Sequence, residues 1–213
     1  QISHDGKIIN PRIYNANNIR FYEYKRLMKY NVGYLSFLSS PGGDNLPSIL
    51  LANPKLKEWA SEFLKGNNLT LTLKPIENEI AISKFVNDSL YTYPYYTLSE
   101  TFQRIIFYNM AIKSNENAVL LFDEPESNTF PFYTKHLAET IALDETNQFF
   151  ITTHNPYLLL SLIEKSKVQN IAVFIAKMDN YETQLIELDE KQITKVLDFN
   201  SDVFFNFDSV LEK

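Results

Sequence analysis

The chain has 213 residues, no cysteine and a formal net charge of −6 at pH 7. That length supports one substantial core, or one domain with an appendage. The lack of cysteine excludes a disulfide framework and any thiolate metal site, and the acidic balance argues against unspecific DNA binding by the chain as a whole. No apolar run reaches the roughly 18 residues of a membrane span. Residues Gln1 to Asp5 have neither the basic nor the apolar segment of a signal peptide, so a cytoplasmic location is expected.

Residues 1–19 are mixed, with Asn-rich turns around Asn15, Asn17 and Asn18. From Phe21 to Tyr34, aromatic and basic residues interleave. This pattern suits a nucleic-acid platform of stacking rings and phosphate-binding cations. It equally suits an amphipathic or edge element, with rings on the core and basic heads in water, and that use is the commoner one. Ser39 to Asn45 is a loop by composition. Its glycines invite a phosphate-cradle reading, but no G-x-x-x-x-G-K-[ST] occurs anywhere in the chain. The loop therefore reads as a connection.

Pro54 to Lys65 is predicted as a helix: Leu56, Trp59, Ala60, Phe63 and Leu64 recur at helical spacing, and Gly66 supplies the stop. Leu69 to Leu73 alternates as a strand, and Ile76 to Val86 continues as a second after a turn near Asn78. Tyr91 to Tyr96 is aromatic and broken by proline, as in an edge strand or loop. Thr97-x-x-Glu100 is a capping box, predicting a helix over 98–113 with Phe102, Ile105, Ile106 and Met110 buried. The start of that helix offers free N–H groups to a phosphate, although Thr97 and Ser99 also read as ordinary caps.

Ala118 to Glu126 holds an unbroken apolar run that ends in two adjacent carboxylates, Asp123 and Glu124. Such a run reads as a strand buried on both faces. In open α/β sheets, ligands sit at the carboxyl ends of such strands. One carboxylate there can hold Mg²⁺ and the next can polarise a water. A plain strand ending in a solvated acidic turn is the other reading. A loop follows, with Asn128 or Thr129 as cap and Pro131 at the first helical position. That helix runs to about Leu143, with Tyr133, Leu137, Ala138 and Ile141 inward. Gln148 to Thr152 reads as a second buried strand, ending at Thr153 and His154, and Asn155-Pro156 starts a helix at once. Ile171–Ala176 and Tyr181–Leu188 form a predicted hairpin at the sheet's edge. Asp189 to Phe207 is a helix and tail, carrying an apolar cluster of Phe199, Val203, Phe204, Phe205 and Phe207.

Three stretches in order carry a resemblance: Leu98-Ser-x-x-x-Gln103-Arg104, then Val119 to Glu124 with Pro125, then Thr153-His154. Together they resemble the second half of an ABC-type ATPase, matching its signature, Walker B strand and switch histidine. Glu126 after the proline, and Asn155-Pro156-Tyr157-Leu158-Leu159 after the histidine, are more similar to the AAA-type ATPases of the RecF, SMC and OLD families, of AAA_15/AAA_21 type. The resemblance implies an α/β, mostly parallel sheet flanked by helices with an antiparallel edge hairpin. Residues 97–213 would be the motif-bearing half of the core, and 1–96 a mixed portion of the same head. It implies ATP and Mg²⁺ as cofactors, with Asp123 on the metal, Glu124 as general base and His154 on the attacking water or γ-phosphate. Ser99 would reach the γ-phosphate held by another protomer, and Ser127 and Asn128 would face that partner. A second head, as a homodimer, is implied, and relatives work with DNA or beside a nuclease. No membrane partner is expected. The Walker A segment is expected upstream, because the chain opens inside a polar stretch without an initiator methionine.

The match departs from the family at Glu100 and Thr101, where it has a pair of glycines. A carboxylate at Glu100 would repel phosphate unless turned away. Two other classes follow from the same residues. One is a metal-dependent nuclease built on Asp123, Glu124, Glu126 and His154. The other is a non-catalytic, ATPase-like scaffold.

Overall fold

The computed structural model describes residues 18–33 and 35–211. The Asn15 and Asn17 turns, the start of the chain and Tyr34 lie outside them. Three parallel strands hold the centre: β1 (Ile19–Tyr22), β5 (Val119–Asp123) and β6 (Gln148–Thr152), in the order β1-β5-β6. Between β1 and β5 come α1 (Leu46–Ala52), α2 (Pro54–Lys65), an antiparallel sheet of β2 (Thr70–Lys74), β3 (Glu79–Val86) and β4 (Ser89–Pro94), and then α3 (Glu100–Lys113). α4 (Pro131–Ala142) connects β5 to β6, and α5 (Pro156–Lys165) follows β6. The chain ends with the hairpin β7 (Phe174–Asp179) and β8 (Glu182–Glu187), then α6 (Glu190–Phe199) and α7 (Phe207–Leu211). The class is α/β, with helices on a parallel sheet and antiparallel strands beside it.

β5 seals Leu120 and Phe122 on one face from solvent, while Val119 and Leu121 on the other are only half-buried, so the expected burial on both faces is met on one. β1 was hidden in the aromatic–basic stretch. Its Tyr22 is fully buried, and Tyr24 and Tyr30 pack against the main core. Edge element with inward rings is thus the reading that holds for Tyr22, Tyr24 and Tyr30, while Phe21 stays exposed. The Tyr22 hydroxyl donates to the Leu38 carbonyl at 2.6 Å and accepts from Asn115 Nδ2 at 3.0 Å. One core cluster joins these rings to α1, α2, α3, β5, α4 and Leu158 of α5.

The Ser39–Asn45 loop is a connection, as expected. Gly43 has φ +71°, and a Cβ there would stand 2.9 Å from the Phe107 ring. Glycine is required by that close packing and by the left-handed backbone. α2 has its predicted bounds, and Asn53 caps it by accepting from the N–H groups of Lys55 and Leu56.

Three expectations need correction. β6 is in place but is not buried on both faces: it lies at the edge of the described parallel sheet, and Phe150 is 55% exposed. Its run of apolar residues meets the core with Phe149 and Ile151 only. The hairpin β7–β8 pairs only with itself and forms a separate two-stranded sheet. Its turn is at Asn180 and Tyr181, both with positive φ, as two-residue hairpin turns prefer. The late phenylalanine cluster divides: Phe199, Phe204 and Phe207 pack on a second core around Val196, Val203 and Val210, while Phe205 is exposed.

The Tyr22 hydroxyl is the polar tie between β1 and the layer beneath. Tyr22→Phe leaves the Leu38 carbonyl without that donor and lowers unfolding free energy by about 1–2 kcal/mol, read from urea titration. An unchanged midpoint would show that the tie carries no stability.

Candidate active site

Parallel pairing sets the site. β5 and β6 run in register with Asp123 opposite Thr152, so both strands end at the same rim. The Thr152 hydroxyl donates to Asp123 Oδ1. One residue further, the Glu124 N–H still reaches the Thr152 carbonyl at 3.0 Å, extending the ladder past the strand. Glu124 then turns: its φ is +42°, a left-handed value that costs a non-glycine residue about 1 kcal/mol or more. That turn delivers its carboxylate to the rim, where Oε1 meets Nδ1 of His154 and Oε2 accepts from the Ser127 hydroxyl at 3.3 Å. With Glu124 as a carboxylate, Nδ1 is the donor.

The His154 arm is built as the residues suggest. Asn155 caps α5, accepting from the N–H groups of Tyr157 and Leu158, and Pro156 occupies the first turn. His154 is therefore held on a three-residue link between a strand and a capped helix. Its side chain is 74% exposed and that of Glu124 is 40% exposed, so the pair forms an open rim. A cavity of about 360 Å³ lies elsewhere, between Leu27–Tyr30 and the β2-β3-β4 sheet, and none of these residues lines it.

Beneath the rim sits Glu126, only 3% exposed. Its carboxyl accepts from the Thr153 hydroxyl. Burial pushes its pKa above the ordinary 4.5, with the Thr153 hydrogen bond opposing. In the sequence Glu126 reads as a family mark and a candidate nuclease ligand, and Thr153 only as the residue before the histidine; the hydroxyl contacts of Thr152 and Thr153 were not foreseen. The one available signal was their place at the end of β6, opposite the two acids.

Ser99 stands apart from this cluster, at the start of α3. It is the N-cap, accepting from the Phe102 N–H at 3.4 Å. The capping box predicted from Thr97 is not formed. Thr97 closes a 3₁₀ turn by donating to the Pro94 carbonyl at 2.7 Å, and Glu100 points to Arg104 Nε at 3.0 Å instead of to the cap. Gln103, almost fully buried, ties the turn by donating to the carbonyls of Leu98 at 2.7 Å and Tyr96 at 3.3 Å. Two hydrogen bonds then join this turn to the loop after β5. Thr101 Oγ1 donates to the Asn128 carbonyl at 3.1 Å, and Asn128 Nδ2 donates to Glu100 Oε1 at 3.2 Å. Glu100 is thereby turned sideways, and Arg104 and then Asn128 hold its pKa below the usual value.

The nuclease alternative would need Asp123, Glu124, Glu126 and His154 to face one ion. Instead they pair off, with Thr152, His154, Thr153 and Glu124 respectively. Among the described residues, no three His, Asp or Glu side chains are grouped as a metal site. A magnesium ion that keeps waters and takes phosphate oxygens asks less, one or two carboxylates, and Asp123 at the strand end fits that demand.

Against known proteins, residues 6–161 match the family AAA_21, described as "AAA domain, putative AbiEii toxin, Type IV TA system". The chain belongs to this family. No curated protein matches the sequence. Among solved structures, one from a study titled "Structural biochemistry of ATP-driven dimerization and DNA stimulated activation of SMC ATPases" aligns at 13% identity with a TM-score of 0.47. The alignment covers 72% of this chain and 91% of that one. As an AAA domain, the chain carries the potential for nucleotide hydrolysis, and the matched residues include the whole Asp123–His154 rim. No helix among the described residues is long and apolar enough to cross a membrane.

A carboxyl whose pKa is raised by the fold ionises more readily in the unfolded chain. Its contribution is full below pH 4.5 and is lost as pH rises through the raised folded value. Glu126→Gln removes that loss. The stability of the variant relative to wild type therefore increases as pH rises from 4.5 toward neutrality, in urea titrations across that range. A difference that stays flat with pH contradicts the burial of the charge.

Proposed function

We propose that this chain is the hydrolytic half of an AAA-type ATPase head, acting on ATP bound with Mg²⁺. The reading is carried by one observation: register pairing of β5 with β6 puts Glu124 against His154 at the carboxyl end of the sheet. Glu124 is the general base for the attacking water. His154, donating Nδ1–H to that base, keeps Nε2 for the water or the γ-phosphate. Asp123, steadied by Thr152, is the residue to hold Mg²⁺, which offsets the charge of the phosphates when bound. Catalysis of this kind is mostly positioning and charge compensation, and the fold invests in both. Glu124 is held in a left-handed conformation, and each acid of the rim has a hydroxyl donor.

The phosphate cradle must come from another segment, since the 213 residues contain no G-x-x-x-x-G-K-[ST]. The open edge of β6, with Phe150 exposed beside it, is the place where a further parallel strand would bring such a loop to the rim. Asn128 is hydrogen-bonded to Glu100 and Thr101 at the start of α3, and this surface, with Ser99 at the α3 N-cap and Ser127 next to Asn128, suits the nucleotide of a second head. Glu100 is no obstacle there, being bound sideways to Arg104. A homodimer of complete heads is therefore the working assembly, soluble and cytoplasmic. Its coupling would be to DNA repair or to phage defence, and the toxin–antitoxin description of the family favours the second.

The test uses a polypeptide that joins this chain to its phosphate-binding segment. Glu124→Gln lowers ATP turnover by about 100-fold or more, the scale of a lost general base, while nucleotide affinity stays within about threefold. His154→Ala lowers turnover about tenfold. Wild-type turnover in Glu124→Gln would remove Glu124 as the general base, and no turnover in the wild-type polypeptide would leave a scaffold.

A further inference from the structure

Glu126 has no part in the chemistry just described, yet it is the most deeply buried acid near the rim. Its Oε1 accepts a hydrogen bond from the Thr153 hydroxyl, and its Oε2 has no partner among the described residues. Thr153 directly precedes His154, and its hydroxyl oxygen also accepts the Asn155 N–H at 3.0 Å. One hydroxyl thus bridges the two neighbours of the histidine, and its single proton needs an acceptor, which Glu126 supplies. The other end of Glu126 is anchored. Its carbonyl accepts from the Thr129 N–H at 3.0 Å and the Thr129 hydroxyl at 2.6 Å, and Thr129 meets Thr134 of α4 at 3.0 Å. The loop after β5 and the turn after β6 are joined twice, once at the rim by Glu124 and His154, and once below it.

We propose that Glu126 is a positioning residue, which sets the His154 ring against Glu124 by gripping the Thr153 hydroxyl. This rests on the reading of the rim as the hydrolytic site. A neutral carboxyl suits the task, because an ionised one would place a second negative charge beside Glu124. Glutamine copies that neutral form, with a carbonyl oxygen for Thr153 and an amide at the unpartnered position. Alanine removes the grip, and Thr153→Val removes its other half at nearly constant shape.

The experiment uses the complete polypeptide without nucleotide and follows the ring nitrogens of His154 by ¹⁵N NMR. Glu124→Gln displaces the His154 resonances, reporting the contact. In a Glu126→Ala or Thr153→Val background that displacement shrinks at least about twofold, as expected for coupled neighbours. In a Glu126→Gln background it returns to the wild-type size. An undiminished displacement in both the alanine and the valine backgrounds overturns the proposal. Turnover then gives the functional arm: Glu126→Ala and Thr153→Val lower kcat about tenfold with KM within about twofold, and Glu126→Gln restores kcat. Unchanged kcat in both disrupting variants likewise overturns it. A wild-type polypeptide without any turnover refutes the ATPase reading alone, since the NMR result needs no hydrolysis.

Discussion

Everything at the rim depends on the register between β5 and β6. The pairing of Asp123 with Thr152 decides that the two acids emerge beside the threonines and histidine of the next strand. A slip of one residue would send each side chain to the opposite face of the sheet. Leu120 and Phe122, buried on β5, and Phe149 and Ile151, packed on the core from β6, make such a slip costly. The hydrophobic pattern of two short strands is thus what converts thirty residues of sequence separation into one contact between a carboxylate and an imidazole.

The surroundings of that contact manage charge in layers. The outer layer is open, with exposed Glu124 and His154 and Asp123 next to a hydroxyl. The inner layer, at Glu126, is dry and favours a neutral acid. Around the corner, Glu100 is drawn off by Arg104, with Arg26 at 3.9 Å adding to the field. The rim is flanked by the edge of β6 in the described sheet on one side and, through Asn128, by the α3 turn on the other.

Much of this was readable in the residues. The apolar run before Asp123 is unambiguous, and the Asn155-Pro156 start of α5 and the spacing of α2 left little choice. The motif order from Leu98 to His154 led to the family that residues 6–161 match. What escaped reading did so for physical reasons. β1 was obscured because its neighbours Tyr24 to Tyr30 carry basic residues on the outside and rings on the inside, so no strand period stands out. α1 (Leu46–Ala52) lacks any side-chain cap and follows a loop without a break in composition. β6 reads as doubly buried because Phe149, Phe150 and Ile151 are all apolar, yet period-two geometry buries only alternate members on an edge strand. The capping box at Thr97 is a local pattern that lost to tertiary bonds, since Arg104 outcompetes a backbone N–H for the Glu100 carboxylate. The supporting threonines could not be singled out, because their role exists only once the strands are paired.

The central claim is that Asp123, Glu124 and His154 face the terminal phosphate of one nucleotide. A crystal structure of the complete polypeptide with Mg²⁺ and a non-hydrolysable ATP analogue tests it most directly. The account predicts the ion beside Asp123, and the γ-phosphate or its water within hydrogen-bond reach of both Glu124 and His154. A nucleotide bound away from the β5–β6 rim, with those three side chains facing bulk water, would contradict it.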